Sequence, residues 1–356
     1  MRNSRTVKVG NVIIGGGNPV SIQSMCNTDT RDVEATVRQI ERLAEAGCQI
    51  TRLAVFDMDA AFAFEKIRKA SPIPIVADIH FDYKLALAAM DAGADKVRIN
   101  PGNIGSEEKA RLVFEKAKAC GIPIRIGVNS GSLEKDIIKK YGGVTTEGIC
   151  ESALHAVSYA EGFGFNDLVV SLKCSDVLMN HRATKLFAEK SDIPIHIGLT
   201  EAGGGESAEI KSCAALGALL LDGIGDTMRI SLTGDPVREV ELAKKLLKAT
   251  GIRKAGIDFV SCPTCGRTRV DLPSIVQKIE TKLAPYSDIL DKKGRFIRLA
   301  VMGCAVNGPG EARSADLGVA CGEGEGLIIK HGEIVKKVPE EMIEQELINM
   351  IMEETK

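Results

Sequence analysis

Two apolar rhythms alternate along the chain between residues 20 and 232. Short β-branched runs fall at 20–25, 50–55, 73–80, 96–100, 122–128, 167–173, 193–199 and 226–232. Between them, over 33–46, 60–69, 107–119, 146–161 and 208–220, apolar residues recur at three- and four-residue spacing, the period of one helical face. Three runs share one entry, Ser71-Pro-Ile-Pro-Ile, Gly121-Ile-Pro-Ile and Asp192-Ile-Pro-Ile, with proline where a strand tolerates it. Asp235-Pro236 predicts a helix start, a carboxylate cap followed by proline at the first helical position.

Alternating strands and helices specify a parallel sheet. Eight units in about 230 residues predict an α/β fold, a (β/α)8 TIM barrel, which typically takes ~250 residues. A doubly wound open sheet would carry a glycine-rich turn after its first strand. Here the first strand leads into Cys26-Asn-Thr-Asp-Thr instead. Gly15-Gly16-Gly17 precedes that strand, without a phosphate-loop lysine or serine, and 6–18 reads as a small hairpin leading into the barrel. Past Thr250-Gly251 the character changes, with glycines and cysteines dense over 303–326 and an amphipathic tail at 339–354. The expected organisation is a barrel domain at 1–250 and a smaller α/β domain at 251–356, hinged near 248–255. The long glycine-bearing segment 130–144 reads as a lid over the barrel mouth.

Composition narrows the function classes. The 46 basic residues nearly cancel the 48 acidic ones, leaving a net charge of -2 that draws the chain to neither nucleic acid nor an anionic membrane. With 4 Tyr, 10 Phe and no Trp there is little to stack bases on. No run of ~20 apolar residues spans a bilayer, and the start, Met-Arg-Asn-Ser-Arg, does not lead into a secretory segment. The expected location is cytoplasmic, so the ten cysteines are thiols. Cys26, Cys48, Cys120, Cys150, Cys174 and Cys213 are read as packing residues, whereas Cys262, Cys265, Cys304 and Cys321 crowd into the last third.

In such barrels the site lies at the C-terminal ends of the strands, and here those ends are charged. Arg52 lies in the second strand; Asp78 and His80 end the third; Arg98 and Asn100 end the fourth. Arg125 lies in the fifth, followed by Asn129, and Lys173 ends the sixth. His196 lies in the seventh with Glu201 beyond it, and Arg229 and Ser231 lie in the eighth. Any one of these is accounted for by an ion pair or an outward rotamer, but five cations on five strands converge on a ligand with several negative charges. Arginine forks suit phosphate oxygens. The turns Asn100-Pro-Gly-Asn-Ile-Gly105 and Gly203-Gly-Gly205 precede helices, where free N–H groups hold anions. Asp78 and Glu201 are candidates for proton transfer or for orienting hydroxyls. No two histidines share a metal-ligand spacing; His80 and His196 are candidates for the site, and His155, His181 and His331 read as ordinary helix or loop residues.

Cys262-Pro-Thr-Cys265 is a tight CxxC whose third partner is Cys304, with Glu311 and Cys321 available as a fourth ligand. Structural zinc needs a closed set of four ligands. Three thiolates and one exchangeable ligand describe an iron–sulfur cluster with an open iron better. A thioredoxin-type CxxC would sit at a strand-to-helix turn of a βαβ unit, a context not expected here.

Ala77-Asp-Ile-His-Phe81, Arg98-Ile-Asn-Pro-Gly-Asn-Ile-Gly105, His196-Ile-Gly-Leu-Thr-Glu-Ala-Gly203, Cys262-Pro-Thr-Cys-Gly-Arg267 and Gly303-Cys-Ala-Val-Asn-Gly-Pro-Gly-Glu311 together resemble one family. That family is the 4-hydroxy-3-methylbut-2-en-1-yl diphosphate synthases of the non-mevalonate isoprenoid pathway, in their short bacterial form. The resemblance runs from about residue 5 to the C-terminal helix, in the expected order. It implies reductive ring opening and dehydroxylation of 2-C-methyl-D-erythritol 2,4-cyclodiphosphate, with two electrons delivered through a 4Fe–4S cluster. By motif, the cluster ligands are Cys262, Cys265, Cys304 and an exchangeable Glu311; the diphosphate-binding residues are Arg52, Arg98, Arg125, Lys173 and Ser231, with Asn129 nearby. Glu201 is then the proton donor to the departing hydroxyl, with Asp78 in support, and Cys321 is structural. The family also implies a head-to-tail homodimer and a reduced ferredoxin or flavodoxin as electron donor. The competing expectation is a non-redox phosphosugar aldolase or isomerase with a structural zinc tail, for which Lys173 supplies the Schiff-base lysine.

Overall fold

The computed structural model describes residues 1–100, 104 and 107–355, and the chain divides into two compact units, Met1–Ile252 and Arg253–Lys356. No helix among the described residues is long and apolar enough to cross a membrane.

The first unit opens with an antiparallel hairpin of β1 (Val7–Val9) and β2 (Val12–Ile14). Strand and helix then alternate: β3 (Ser21–Met25), α1 (Val33–Glu45), β4 (Ile50–Ala54), α2 (Met58–Ala70), β5 (Ile75–Asp78), α3 (Tyr83–Asp91), β6 (Lys96–Ile99) and α4 (Glu107–Cys120). There follow β7 (Ile124–Asn129), α5 (Lys135–Tyr141), α6 (Thr146–Gly162), β8 (Leu168–Lys173) and α7 (Val177–Lys190). The unit ends with β9 (His196–Ile197), α8 (Gly205–Leu221), β10 (Thr227–Met228) and α9 (Pro236–Ala249).

Strands β3 to β10 pair in parallel in the order β8-β7-β6-β5-β4-β3-β10-β9, and the bridge between Val170 and Ile195 joins the two ends into a barrel. β9 and β10 are two residues each, shorter than their apolar runs, because Pro194 has no N–H to give a ladder at that edge. The helices start on side-chain caps: Asp32, Asp57 and Asp176 accept the N–H groups of Ala35, Ala60 and Met179. Asp235 caps α9 with Pro236 in the first turn, as its sequence predicts.

Alternation along the strands sends every second side chain into the barrel. At the N-terminal ends these are Ile50, Val76 and Val169, and they bury Val7, Val9 and Ile14 of the hairpin in a cluster of their own. The hairpin therefore stoppers the bottom of the barrel. Asp226 ties the same end down, accepting from Ser4 Oγ at 2.6 Å and from the Ile195 N–H at 2.7 Å.

Segment 130–144, expected as a lid, is a 3-10 turn followed by α5 laid along α6. Ser152 Oγ donates to Glu134 at 2.8 Å, and Lys140 and Tyr141 donate to Glu151 at 2.6 and 2.7 Å. Those three bonds explain the helix where glycine content indicated a loop. Cys26, Cys48, Cys150 and Cys174 are buried as expected, but Cys120 is exposed at the last residue of α4.

The second unit is a five-stranded sheet of β11 (Gly256–Ser261), β12 (Phe296–Met302), β13 (Leu317–Cys321), β14 (Glu325–Lys330) and β15 (Glu333–Pro339). The first three are parallel and the last two antiparallel. α10 (Leu272–Lys292) and α12 (Ile343–Thr355) bury Ile279, Leu283, Leu347 and Ile351 with Leu299, Val301 and Val319. The alternate residues of β12, Ala300 and Met302, pack on the other face with Ala312 and Ala315, beside the short helix α11 (Gly308–Glu311).

If the hairpin closes the barrel, Ile14→Ala, a truncation at a fully buried position, costs ~2–5 kcal/mol. Urea unfolding of the barrel should show a lower midpoint with an unchanged slope; an unmoved midpoint would contradict the stopper.

Candidate active site and cluster centre

The C-terminal ends of the barrel strands open into a cavity of about 230 Å³. Arg52, Arg98, Arg125, Asn129, Lys173 and Ser231, the residues expected to hold substrate, all line it, together with Asp78, His80 and Arg229. The two-residue strand period selects them: Arg98 follows Lys96, Asn129 follows Arg125 and Gly127, and Lys173 follows Ser171. Two glycines shape the space, since a Cβ on Gly127 would lie 2.7 Å from Arg98 Nε and one on Gly198 would lie 2.8 Å from Lys173 Nζ. Ser171 and Thr200 also line the cavity and escaped the sequence reading, although Ser171 sits one period before Lys173.

Asp78 is the hub of the charged groups. Arg98 Nη1 donates to its Oδ1 at 3.2 Å, His80 Nε2 lies 3.3 Å from Oδ2, and Arg52 Nε is 3.8 Å from Oδ2. Burial alone would raise this carboxyl, but Arg52, His80, Arg98 and Arg125 together hold it well below the usual carboxylate range. It is an anion at neutral pH. Arg229 pairs with Glu239 at 3.2 Å, while Glu239 also accepts from Ser24 Oγ at 2.9 Å. Arg52 rests its Nη2 on Met25 Sδ at 2.8 Å, and burial lowers its pKa to about 10, so it stays charged.

The positive groups exceed their partners. Among the described residues, five cations line the cavity against the single carboxylate of Asp78. Arg125 Nε and Nη1 find no hydrogen-bond partner among the described residues, and Arg125 itself is 1% exposed. One period below Arg98, Lys96 is fully buried with its Nζ unpartnered; Gln23 and both His196 ring nitrogens are in the same condition. Each buried, unpaired polar group costs ~1–3 kcal/mol. Burial, and then Arg125 and Arg52, push the Lys96 ammonium well below its ordinary range; burial and the surrounding cations do the same to Lys173 and His196. An anion with several oxygens is the ligand that Arg125 and the other cations lining the cavity would accept.

Glu201 lies one residue beyond the cavity-lining Thr200, exposed and in the left-handed region at φ 57°. A non-glycine residue there carries ~1 kcal/mol or more of strain. His196 points into the barrel below the cavity and does not line it. Of the turn at 100–105, Asn100 is buried with its side-chain amide 3.2 Å from Ser132 Oγ, and residues 101–103 and 105 lie outside the described residues.

In the second unit the cysteines also follow parallel strands. Cys262 and Cys265 come directly after β11 and Cys304 just after β12. The CxxC does sit between strand and helix of a βαβ unit, contrary to the sequence expectation, because 256–261 forms a strand whose central Asp258 obscures its apolar pattern. α10 nevertheless begins only at Leu272, seven residues after Cys265. The Gly303 N–H donates to Cys262 Sγ at 3.3 Å. The Arg267 backbone N–H lowers the Cys265 thiol, and those of Asn307, Val306 and Gly308 lower that of Cys304. Burial instead pushes Cys321 up to about 12, an inert core thiol. Glu311 ends α11 and is exposed. Among the described residues no three His, Cys, Asp or Glu side chains are gathered tightly enough to hold a metal ion, so the expected four ligands are not drawn to one point. N–H donors aimed at three sulfurs, with an exposed carboxylate on the adjoining helix, are nonetheless the donor set that suits an iron–sulfur cluster.

Lys96 gives a pH-dependent test. The unfolded chain keeps its ammonium protonated up to about 10.5, whereas in the folded barrel burial lowers its pKa well below that value. The unfolded state binds more protons, so this penalty on stability is present at pH 7 and vanishes as pH rises past that value. Lys96→Met should raise stability by ~1 kcal/mol or more at pH 7, with the gain shrinking toward pH 10.5 in paired denaturation curves. A gain that is constant with pH would contradict a lowered Lys96 pKa in the folded barrel.

Similarity to known proteins agrees with the geometry. Among solved structures, dihydropteroate synthase from Xanthomonas albilineans superposes with TM-score 0.51 at 15% identity, covering 69% of this chain and 97% of that one. A truncated 3-deoxy-D-arabino-heptulosonate 7-phosphate synthase from Thermotoga maritima gives TM-score 0.51 at 16% identity, covering 70% and 94%. Both share the fold alone. The 4-hydroxy-3-methylbut-2-en-1-yl diphosphate synthase (flavodoxin) of Ruminiclostridium cellulolyticum is 52% identical over 98% of this chain and 97% of its own. Its counterpart in Geobacillus thermodenitrificans is 54% identical over 97% and 90%. Residues 4–244 match the GcpE TIM-barrel domain and residues 258–353 match the GcpE protein C-terminal domain. With both parts of the chain matched in order, the protein belongs to the GcpE family.

Proposed function

We propose that the barrel cavity binds the diphosphate of 2-C-methyl-D-erythritol 2,4-cyclodiphosphate and that the chain converts it to 4-hydroxy-3-methylbut-2-en-1-yl diphosphate. The observation that carries this reading is the set of five cations facing one cavity with a single carboxylate among them. Two electrons and two protons balance the step: the ring C–O bond and that of the neighbouring hydroxyl break, a C=C bond forms and water leaves.

Arg52, Arg98, Arg125 and Lys173 neutralise the diphosphate, and Asn129 and Ser231 add hydrogen bonds to its oxygens. Glycines 127 and 198 let the Arg98 and Lys173 side chains reach across the cavity. Asp78, held ionised by its arginines, has no proton to give at neutral pH; it orients Arg98 and His80. Glu201, just past Thr200, donates the proton to the departing hydroxyl. Cys262, Cys265, Cys304 and Glu311 would hold a 4Fe–4S cluster, which when bound supplies single electrons and, at the carboxylate-bound iron, an exchangeable position. In a head-to-tail homodimer, in the cytoplasm, the cluster ligands of one protomer would face the barrel of its partner. Reduced flavodoxin, the donor in the names of the relatives, or ferredoxin supplies the electrons. A non-redox aldolase or isomerase is the poorer reading, since relatives 52–54% identical along almost the whole chain bear the synthase name.

Glu201→Gln should lower turnover by ~10²–10⁴-fold, the usual worth of a general acid, while the visible absorbance of the anaerobically purified protein stays intact. Full turnover would remove Glu201 from proton transfer. The cysteine assignments separate cleanly: Cys265→Ser should lose iron and acid-labile sulfide, and Cys321→Ser should keep both. Equal iron in the two variants would show that the ligand set is drawn wrongly.

A further inference from the structure

A second pocket adjoins the cation cavity. It has a volume of about 260 Å³ and shares Asp78 and His80 with the cavity. Its other walls are of opposite chemistry: Ala54, Val55, Phe56, Phe81 and Leu85, with Asp82 at the edge. Phe56 and Phe81 are 52% and 72% exposed, which is unusual for large aromatic residues beside a charged site. Phe81 leans against the His80 ring with centroids 6.0 Å apart, so the apolar wall begins where the polar one ends. The reaction read above uses no residue of this wall, and its polyol substrate, hydroxylated along its carbons, has little apolar surface to bury there.

We propose that this pocket takes the hydrocarbon tail of a prenyl diphosphate whose diphosphate sits among the cavity cations, making the barrel mouth an inhibitory site for hydroxyl-free allylic diphosphates. The inference rests on the reading of the cavity as a diphosphate site. Charge complementarity fixes the head: a diphosphate is what Arg52, Arg98, Arg125 and Lys173 face. The shared Asp78 and His80 put the apolar pocket within one ligand's length of that head. Its volume, below the ~300 Å³ at which pockets for drug-sized ligands begin, fits a short branched chain. Such ligands are the products of reactions that remove the remaining hydroxyl from the allylic diphosphate and then extend it, so binding here throttles the enzyme when its downstream chemistry is saturated.

Each methylene buried in such a pocket adds roughly fourfold to affinity. Calorimetry on the full-length protein, purified without oxygen, would compare inorganic pyrophosphate, dimethylallyl diphosphate and geranyl diphosphate. Affinity should rise along that series, with geranyl diphosphate at least ~10-fold tighter than pyrophosphate. In the double variant Phe56→Ser, Phe81→Ser the gain should disappear while pyrophosphate binds as before; both side chains are exposed, so their loss spares the core. Equal affinity across the series, or a gain that survives the double variant, would overturn the tail site and leave the diphosphate cavity standing. Failure of pyrophosphate itself to bind would overturn the cavity reading and this inference with it.

Discussion

Like charges confined in a low-dielectric tube govern this molecule. Arg52, Arg98, Arg125, Arg229 and Lys173 project into one barrel, and the acids set against them among the described residues are Asp78 and Glu239. A barrel interior filled with branched apolar side chains would be more stable. This one gives up that stability for a cavity whose ligand must bring negative charge. The distribution of the remaining polar groups follows: Asp78 is shared among Arg52, Arg98 and His80, Glu239 bridges Arg229 and Ser24, and Met25 lends its sulfur to Arg52.

The apolar parts are arranged around that imbalance. Branched residues are confined to the N-terminal end of the barrel, where the hairpin seals them, and to the outer shell between strands and helices. The charged layer is therefore open only at the strand C-termini. Phe56 and Phe81 stand at that opening, so the mouth changes from cationic to apolar across Asp78 and His80.

The two units solve the same positioning problem twice. In each, charged or thiol side chains follow the C-terminal ends of parallel strands, where the backbone leaves the ladder and N–H groups are free. In the barrel those positions carry guanidinium groups and an ammonium; in the second unit they carry thiols. Environment, not residue type, sorts the cysteines: Cys265 and Cys304 meet N–H donors and shift toward thiolate, while Cys321, at the end of β13 within the core, shifts the other way.

The sequence by itself determined the eight strand–helix repeats, the hairpin, the change of character near residue 251 and the identity of the cavity cations. These are encoded locally, through a two-residue period that distinguishes inside from outside and a helical period that distinguishes face from face. Tertiary structure alone decided the rest. Lys96 and His196 share the strand pattern of Arg98 and Lys173 but fall one layer deeper, where depth depends on the stagger between strands. Segment 130–144 is a helix because Glu134 and Glu151 find partners in and beside it, a pairing that its glycines conceal. The strand before the CxxC was hidden by Asp258, whose ion pair with Arg298 forms only when β11 and β12 are side by side. Charge partners and depth depend on residues distant in the chain, and no local pattern carries them.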